Sequence, residues 1–393
     1  MLAMTLAAIG RLPLASDGAE VIVIDNASRF VPTLTTELAN GVSVELLLRA
    51  TNDGAAARNL GASRASGEWL VMLDDDSYPL DAGFMDDLAE APQDVAAIGA
   101  EIFVPAPASV RSVHAGAGED GPDGPNGEAS AARLIHESGG LPEVFIGCGV
   151  AIRRAVFLDA QLGGPGFNGA GYDPAFHYYA EEYDLAARMI LSGFRIAHSR
   201  RFRVMHHKAG TGRDMNVILR RLVRNNAWVE QRYAPESERR GAIARTLSRY
   251  RAIAQKEGAT AGYQLGLLDL DESLDSQPRM EMTRGQYERF TGLAAARVSL
   301  GDALRRLGTE RAMVVNRGKN DWAVEAILSE IGVEIVGEAR DADALVVGTL
   351  SPGPILDAVT VTADVGRLPV VAPWEFPDRV VGAAATDSCL RAA

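Results

Sequence analysis

The stretch WLVMLDDDSYP, residues 69–79, constrains this chain more than any other. An apolar run, residues 69–73, passes directly into three adjacent acids, Asp74, Asp75 and Asp76. Neighbouring carboxylates repel one another unless a cation shares their charge, so the stretch points to a cation site at the end of a buried strand. Side chains alternate along a strand, which sends Asp74 and Asp76 to one side and Asp75 to the other. Two carboxylates on one side suit Mg²⁺ or Mn²⁺, hard ions that take one or two protein carboxylates and fill their other positions with phosphate oxygens and water. Similar apolar runs occur in AEVIVIDNAS and DVAAIGAEIFV. Runs without strict alternation predict strands covered on both faces, as in an α/β sheet. Open sheets of that class hold ligands just beyond the carboxyl ends of their strands.

Other segments fit this frame. NDGAAARNLGASRASG predicts a helix ended by Gly67, and FIGCGVAIRR a glycine-lined strand that a ligand can approach closely. EEYDLAARM opens a helix with Glu181 and Glu182, acids that the helix dipole favours in a first turn whatever else they do. Asp184 and Arg188, four apart, read as an ion pair on that helix's surface. Residues 105–140 are rich in Gly and Pro and read as either a loop over a site or a disordered segment. Residues 211–300 turn helical and arginine-rich, with LDLDESLDSQPRMEM as a polar linker. The arginines, Arg249 among them, form either a solvated face or a surface for anionic lipid head groups or an anionic acceptor. From residue 301 to 393 the alternation returns as strand, helix and three more strands, a small Rossmann-like unit without a G-x-G-x-x-G turn. The expected division is therefore 1–210, 211–300 and 301–393.

A formal net charge of −13 argues against general nucleic-acid binding, which needs a positive surface. Two cysteines, Cys148 and Cys389, make no disulfide framework and fit a reducing compartment. No apolar run reaches the ~18 residues of a membrane span, and no basic segment precedes the apolar start, so no secretion signal is read there. The expectation is a cytoplasmic protein, with the arginine-rich helices available for peripheral contact with the inner face of an anionic membrane.

Taken together, IVIDNAS, GAAARNLGASRASGEWLVMLDDD, GCGVAIRR, EEYDLAARM with SGFRIAH, and VMHH resemble a family 2 glycosyltransferase of the GT-A fold over residues 1–230. The resemblance implies a mixed sheet flanked by helices and an inverting sugar transfer from a nucleotide-diphosphate sugar to a hydroxyl acceptor, carbohydrate or lipid-linked, in polysaccharide or glycoconjugate synthesis. It implies that Asp25 contacts the nucleoside and that Arg58 and Asn59 line the donor site. Asp74 and Asp76 match the D-x-D metal motif, and Asp74 also faces the donor. Gly147 and Gly149 let the substrate approach the backbone. Glu182 matches the general base, with Glu181 beside it. His206 completes the metal or diphosphate site, with His207 as its competitor. The metal would be Mn²⁺ or Mg²⁺.

Three rivals weigh less. A sugar-phosphate nucleotidyltransferase shares related architecture but expects a glycine-rich phosphate loop with basic residues near its start, and the sequence shows none. A haloacid-dehalogenase-like phosphatase also places D-x-D after an apolar strand, but its later acidic pair is missing after ALVVGTLS. A non-catalytic nucleotide-sugar-binding or scaffold protein derived from a transferase is the alternative, and one feature favours it. The family opens with a strand that holds the nucleotide, whereas MLAMTLAAIGRLPL reads as the helix after it. The first strand is thus expected to be absent between the strand ending in Asp25 and the one ending at Asp74. Its place would be closed by residues upstream of Met1 (the favoured reading), by direct pairing, or by a segment from elsewhere.

Overall fold

The computed structural model describes residues 1–105, 132–133, 141–164, 169–207, 213–351 and 368–374. The chain opens with helix α1 (Leu2–Ile9), strand β1 (Glu20–Asp25), β2 (Ser43–Leu48), α2 (Arg58–Arg64), β3 (Trp69–Met72), β4 (Ser77–Pro79) and α3 (Phe84–Glu90). It continues through β5 (Val95–Pro105), β6 (Ala132–Arg133), β7 (Val150–Arg153), α4 (Arg154–Phe157), α5 (Glu181–Leu191) and β8 (Arg195–His206). Five helices follow: α6 (Met215–Tyr233), α7 (Glu236–Lys256), α8 (Thr260–Ser273), α9 (Arg284–Phe290) and α10 (Leu293–Leu307). The last part holds β9 (Arg311–Val315), α11 (Asp321–Glu330), β10 (Glu334–Ile335), β11 (Ala344–Val347) and β12 (Val370–Val371).

The main sheet is mixed, in the order β3-β7-β5-β8-β4, with β6 paired to β5. β5 and β8 run parallel, while β3–β7, β7–β5 and β4–β8 are antiparallel. β5 and β7 are buried along nearly their whole length, which is why VAAIGAEIFV and VAIR carry apolar residues at consecutive positions. A separate parallel pair, β1–β2, stands beside this sheet. The C-terminal sheet is parallel throughout, in the order β10-β9-β11-β12. Strand β2 had no counterpart in the sequence reading. The Gly- and Pro-rich stretch 105–140 lies outside the described residues except for Pro105 and the short β6.

β1 and β3 do not pair with each other. They border a cleft of about 2060 Å³, which is lined by every residue of Glu20–Asp25 and of Trp69–Met72. A cavity against a sheet's face would meet alternate residues, so contact with each successive residue identifies two strand edges that are unpaired among the described residues. The faces of β1 are covered: Val21 and Val23 pack with Leu6 and Ile9 of α1, and Ile22 and Ile24 lie against Gly61 of α2. Neither α1 nor direct pairing closes this gap. α1 begins at its upper end, where the Thr5 hydroxyl donates to the Asp75 carbonyl at 2.8 Å.

Two readings of the helical part need correction. Asp184 and Arg188 are not a surface pair; both are fully buried, with Arg188 Nε 3.0 Å from Asp184 Oδ2. Asp184 Oδ1 also accepts from Arg232 Nη1 at 2.8 Å and from the Tyr233 hydroxyl at 2.6 Å. Arg232 Nη1 reaches Asp173 at 2.8 Å as well. The partners come from α6, too distant in sequence for a helix-spacing rule to find. Likewise LDLDESLDSQPRMEM is no linker: α8 runs through its first half, and Met280 and Met282 are buried. Among the other arginines, Arg220 forms a two-point pair with Asp269, Arg224 lies over Trp228 and Arg245 over Trp322. Arg240 and Arg251 are exposed.

Two outcomes are expected. Arg232→Met leaves Asp184 short of a cation in a buried site, and urea unfolding should show a loss of about 3–5 kcal/mol; a loss below 1 kcal/mol would mean the network adds little. A strand-forming segment joined ahead of Met1 needs about six residues to match β1 at ~3.3 Å per residue. It should pair with both open edges and raise Tm, and an unchanged Tm would show that the edges do not accept a strand.

Candidate active site

The acidic turn is built differently from the strand end that the sequence suggested. β3 stops at Met72, and residues 74–76 form a tight turn in which the Asp74 amide donates to Ser77 Oγ at 2.8 Å and the Ser77 amide to the Asp74 carbonyl at 3.1 Å. The turn, not a strand's pleat, sorts the carboxylates. Asp74 pairs with Arg58, which also donates to the Leu73 carbonyl at 3.3 Å. Asp76 Oδ1 lies 3.2 Å from His206 Nε2. Asp75 instead uses its carbonyl, on Thr5.

His206 ends β8, directly beside the turn because Ser77 is its partner across the β4–β8 ladder. Its Nδ1 lies 3.8 Å from Cys148 Sγ. Asp74, Cys148 and His206 each offer a ligand atom, and these atoms lie within 4.8 Å of one another. His207 points elsewhere, with its Nε2 3.2 Å from the Tyr78 hydroxyl.

Opposite, α5 presents Glu181 and Glu182 in its first turn. The approach to this helix is strained, with His177, Tyr179 and Ala180 all at positive φ. Asn225 of α6 holds that loop, its Nδ2 lying 2.7–2.9 Å from the carbonyl oxygens of Phe176, Tyr178 and Tyr179. Gly54 makes room on the other side: a Cβ there would sit 2.0 Å from the His177 carbonyl oxygen, and Gly54 itself is at φ +64. Gly147 has a similar role under Glu182, because a Cβ would come to 3.0 Å of Glu182 Oε1.

The electrostatics follow from this packing. Burial pushes Glu181 well above the usual glutamate range, and the neighbouring Glu182 pushes it further. Its Oε2 is buried without a hydrogen-bond partner among the described residues. Burial also raises Glu182, against the pull of its own amide, Arg58 and the Gly147 amide. Asp76 is raised by burial, with His206 opposing and Asp74 and Asp75 adding to the rise. Burial disfavours the Arg58 charge, but Asp74 and the two glutamates more than restore it, so the guanidinium stays protonated. The Cys148 thiol is held protonated, chiefly by burial and next by Asp74.

The cleft brings together most of the residues singled out from the sequence: Asp25, Arg58, Asp74, Asp76, Gly147, Glu181, Glu182 and His206 all line it. Asp25 sits at the carboxyl end of β1 and accepts from the Ser28 amide at 3.3 Å. Two residues are placed elsewhere. Asn59 closes a pair of hydrogen bonds with the Tyr172 backbone, at 2.8 and 2.9 Å, and so ties α2 to the loop before α5. Gly149 is a packing position, where a Cβ would lie 2.6 Å from Ile102 Cδ1. Cys148 is a neighbour of the acids that the sequence does not signal, since GCG reads there only as a backbone feature. Nor does the sequence signal that Arg249 of α7 and Lys319 line the same cleft from the later parts of the chain.

No curated protein matches the chain significantly. Among solved structures, S. aureus TarS 1-349 in complex with UDP-GlcNAc is similar at 15% identity and a TM-score of 0.42, covering 78% of this chain and 83% of that one. GalNAc-T7 with UDP, GalNAc and Mn²⁺ is similar at 14% identity and a TM-score of 0.36; the match covers 67% of this chain and 52% of the other's length. Residues 1–110 match the family described as "Glycosyl transferase family 2". That span holds β1, the Arg58 helix and the acidic turn, while Glu181, Glu182 and His206 lie beyond it. The chain has a mixed sheet flanked by helices, and its residues 1–110 are similar to the family 2 glycosyl transferases.

Proposed function

We propose that the protein transfers a glycosyl group from a nucleotide-diphosphate sugar to a hydroxyl acceptor, with inversion at the anomeric carbon. One observation carries this reading: Asp74, Asp76 and His206 line the same cleft as the paired glutamates of α5, within a chain whose first 110 residues match a glycosyl transferase family. The acceptor would be a carbohydrate or lipid-linked hydroxyl, in polysaccharide or glycoconjugate assembly.

In this reading Asp25 holds the nucleoside at the carboxyl end of β1, and Arg58 stays charged beside the diphosphate. Asp74 and His206, with Asp76 behind His206, would hold a divalent cation, Mn²⁺ or Mg²⁺. Asp74 and His206 offer atoms within 4.8 Å of each other, close to the roughly 4.6 Å that two ligands at about 2.0–2.3 Å from one ion can span. The protonated Cys148 thiol beside them is no ligand for such an ion. When bound, such a cation neutralises charge on a departing diphosphate. Glu182 takes the acceptor hydroxyl's proton as its oxygen attacks the anomeric carbon, and the buried site raises the carboxylate's proton affinity for that task. Glu181, buried and adjacent, favours a proton of its own, which lowers the repulsion that Glu182 meets.

Glu182→Gln keeps shape but accepts no proton. On the nucleotide sugar that the wild type turns over, kcat should fall by about 10²–10⁴-fold with UDP binding retained. A near wild-type kcat in this variant with a dead Glu181→Gln would move the role to Glu181. The base works deprotonated and its folded pKa is raised, so wild-type kcat/KM should climb with pH through a value above the ordinary glutamate range. A limb at the ordinary glutamate value would contradict the burial effect. Excess chelator and Asp76→Asn should each weaken UDP binding without lowering Tm; undiminished turnover in chelator would remove the metal from the account.

A further inference from the structure

The C-terminal unit has no part in the chemistry above, yet it reaches the cleft. Lys319 follows β9 at the carboxyl edge of the parallel sheet. The chain leaves β9 for β10 on one side and returns to β11 on the other. Open α/β sheets hold ligands at such a reversal of strand order. Here the edge is locked: the Gly318 amide donates to the Gly348 carbonyl at 2.7 Å and the Leu350 amide to the Lys319 carbonyl at 2.9 Å. The Lys319 side chain then crosses to α5, donating to the Tyr183 hydroxyl with its Nζ 3.6 Å from that ring's centre. Tyr183 is the residue after Glu182.

Arg249 of α7 lines the same cleft from another element, half-buried beside Tyr250. Among the described residues neither Lys319 nor Arg249 forms an ion pair or a hydrogen bond with a carboxylate. Glu230, whose charge reaches Lys319, accepts from the Tyr287 hydroxyl at 2.7 Å. Lys319 also feels the charge of Glu182, with which it forms no ion pair; two cations near each other in a partly desolvated cleft repel each other and lose hydration. Burial, and next the charge of Arg249, disfavour the protonated form of Lys319. An anion between them relieves both costs.

We infer that Lys319 and Arg249 form an anion subsite for the acceptor, which therefore carries a phosphate or carboxylate group near its reacting hydroxyl. The C-terminal unit is then an acceptor-recognition element, with Lys319 as its contact. This rests on the transferase reading for the word acceptor but not for the subsite itself. The proposed diphosphate contacts are Asp74 and His206, whereas the anion subsite is built on Lys319 at Tyr183 and on Arg249, a separate set of residues in the same cleft.

The test is calorimetric titration of the full chain with inorganic phosphate and, separately, acetate, after saturation with UDP and Mn²⁺ so that the diphosphate positions are filled. Phosphate or acetate should bind saturably, and Lys319→Met and Arg249→Met should each weaken that binding tenfold or more, with Lys319→Arg restoring most of it. Tighter phosphate than acetate assigns a phosphorylated acceptor, and the reverse a carboxylated one. If Lys319→Met unfolds, Arg249→Met on its separate helix still decides. Binding that is absent, or unchanged in both Met variants, overturns the subsite. Failure of UDP to bind in the first step counts against the transferase reading instead, and the anion titrations still stand.

Discussion

The buried ionic network around Asp184 is the interaction on which the candidate active site depends. α5 carries Glu181 and Glu182 at its start, and a short helix beginning in a strained loop needs an external anchor. α6 supplies it twice. Arg232 and Tyr233 bind Asp184 from one turn of α6, and Asn225 binds the carbonyls of the loop from another. Arg188 closes the network by donating to the Gly171 carbonyl at 2.6 Å, which fixes the segment that leads into α5. Such a network is costly to break, because removing one member leaves a buried charge unmatched. Its value here is positional: the helical part of the chain holds the glutamates at their place in the cleft.

The cleft gathers three sets of charged groups. A carboxylate turn, a histidine and Arg58 meet at the carboxyl ends of β1 and β3, where open α/β sheets place their ligands. Two glutamates are held in a setting that favours protons. A lysine and an arginine from the later parts of the chain form no ion pair with an acid among the described residues. In the proposed reaction these sets would serve a charged leaving group, a proton to be taken and an anionic handle to be held. The open edges of β1 and β3 belong to the same cavity and end at Asp25 and the acidic turn. Whatever pairs with those edges therefore also shapes the cleft beside Asp25 and the acidic turn.

Much of this was legible in the sequence because the signals were local. VIVID and WLVM form the strands expected from their apolar runs, EEYDLAARM forms a helix with its acids in the first turn, and the C-terminal strands and helix fall where alternation placed them. The failures share a cause. Asp184 and Arg188 have ideal spacing for a surface pair, and only tertiary packing against α6 buries them. Asn59 sits among donor-site motifs, yet its side chain is spent on the Tyr172 backbone. β2, SVELLL, has a charge in its middle that hid it among surface segments. Lys319 carries no local signal, since its meaning comes from Tyr183, which lies 136 residues earlier. Long-range pairing decides these residues, and spacing along the chain does not encode it.

The central claim is that the part of this cleft between Arg58, Asp74 and His206 is built for the diphosphate of a nucleotide sugar. A crystal structure of the protein with UDP and Mn²⁺ tests it most directly. The account predicts density for the metal against Asp74 and His206, the diphosphate beside Arg58, and the uracil and ribose along β1 near Asp25. Nucleotide bound instead at the carboxyl edge of the small parallel sheet, with residues 74–76 and His206 unchanged and metal-free, would contradict it.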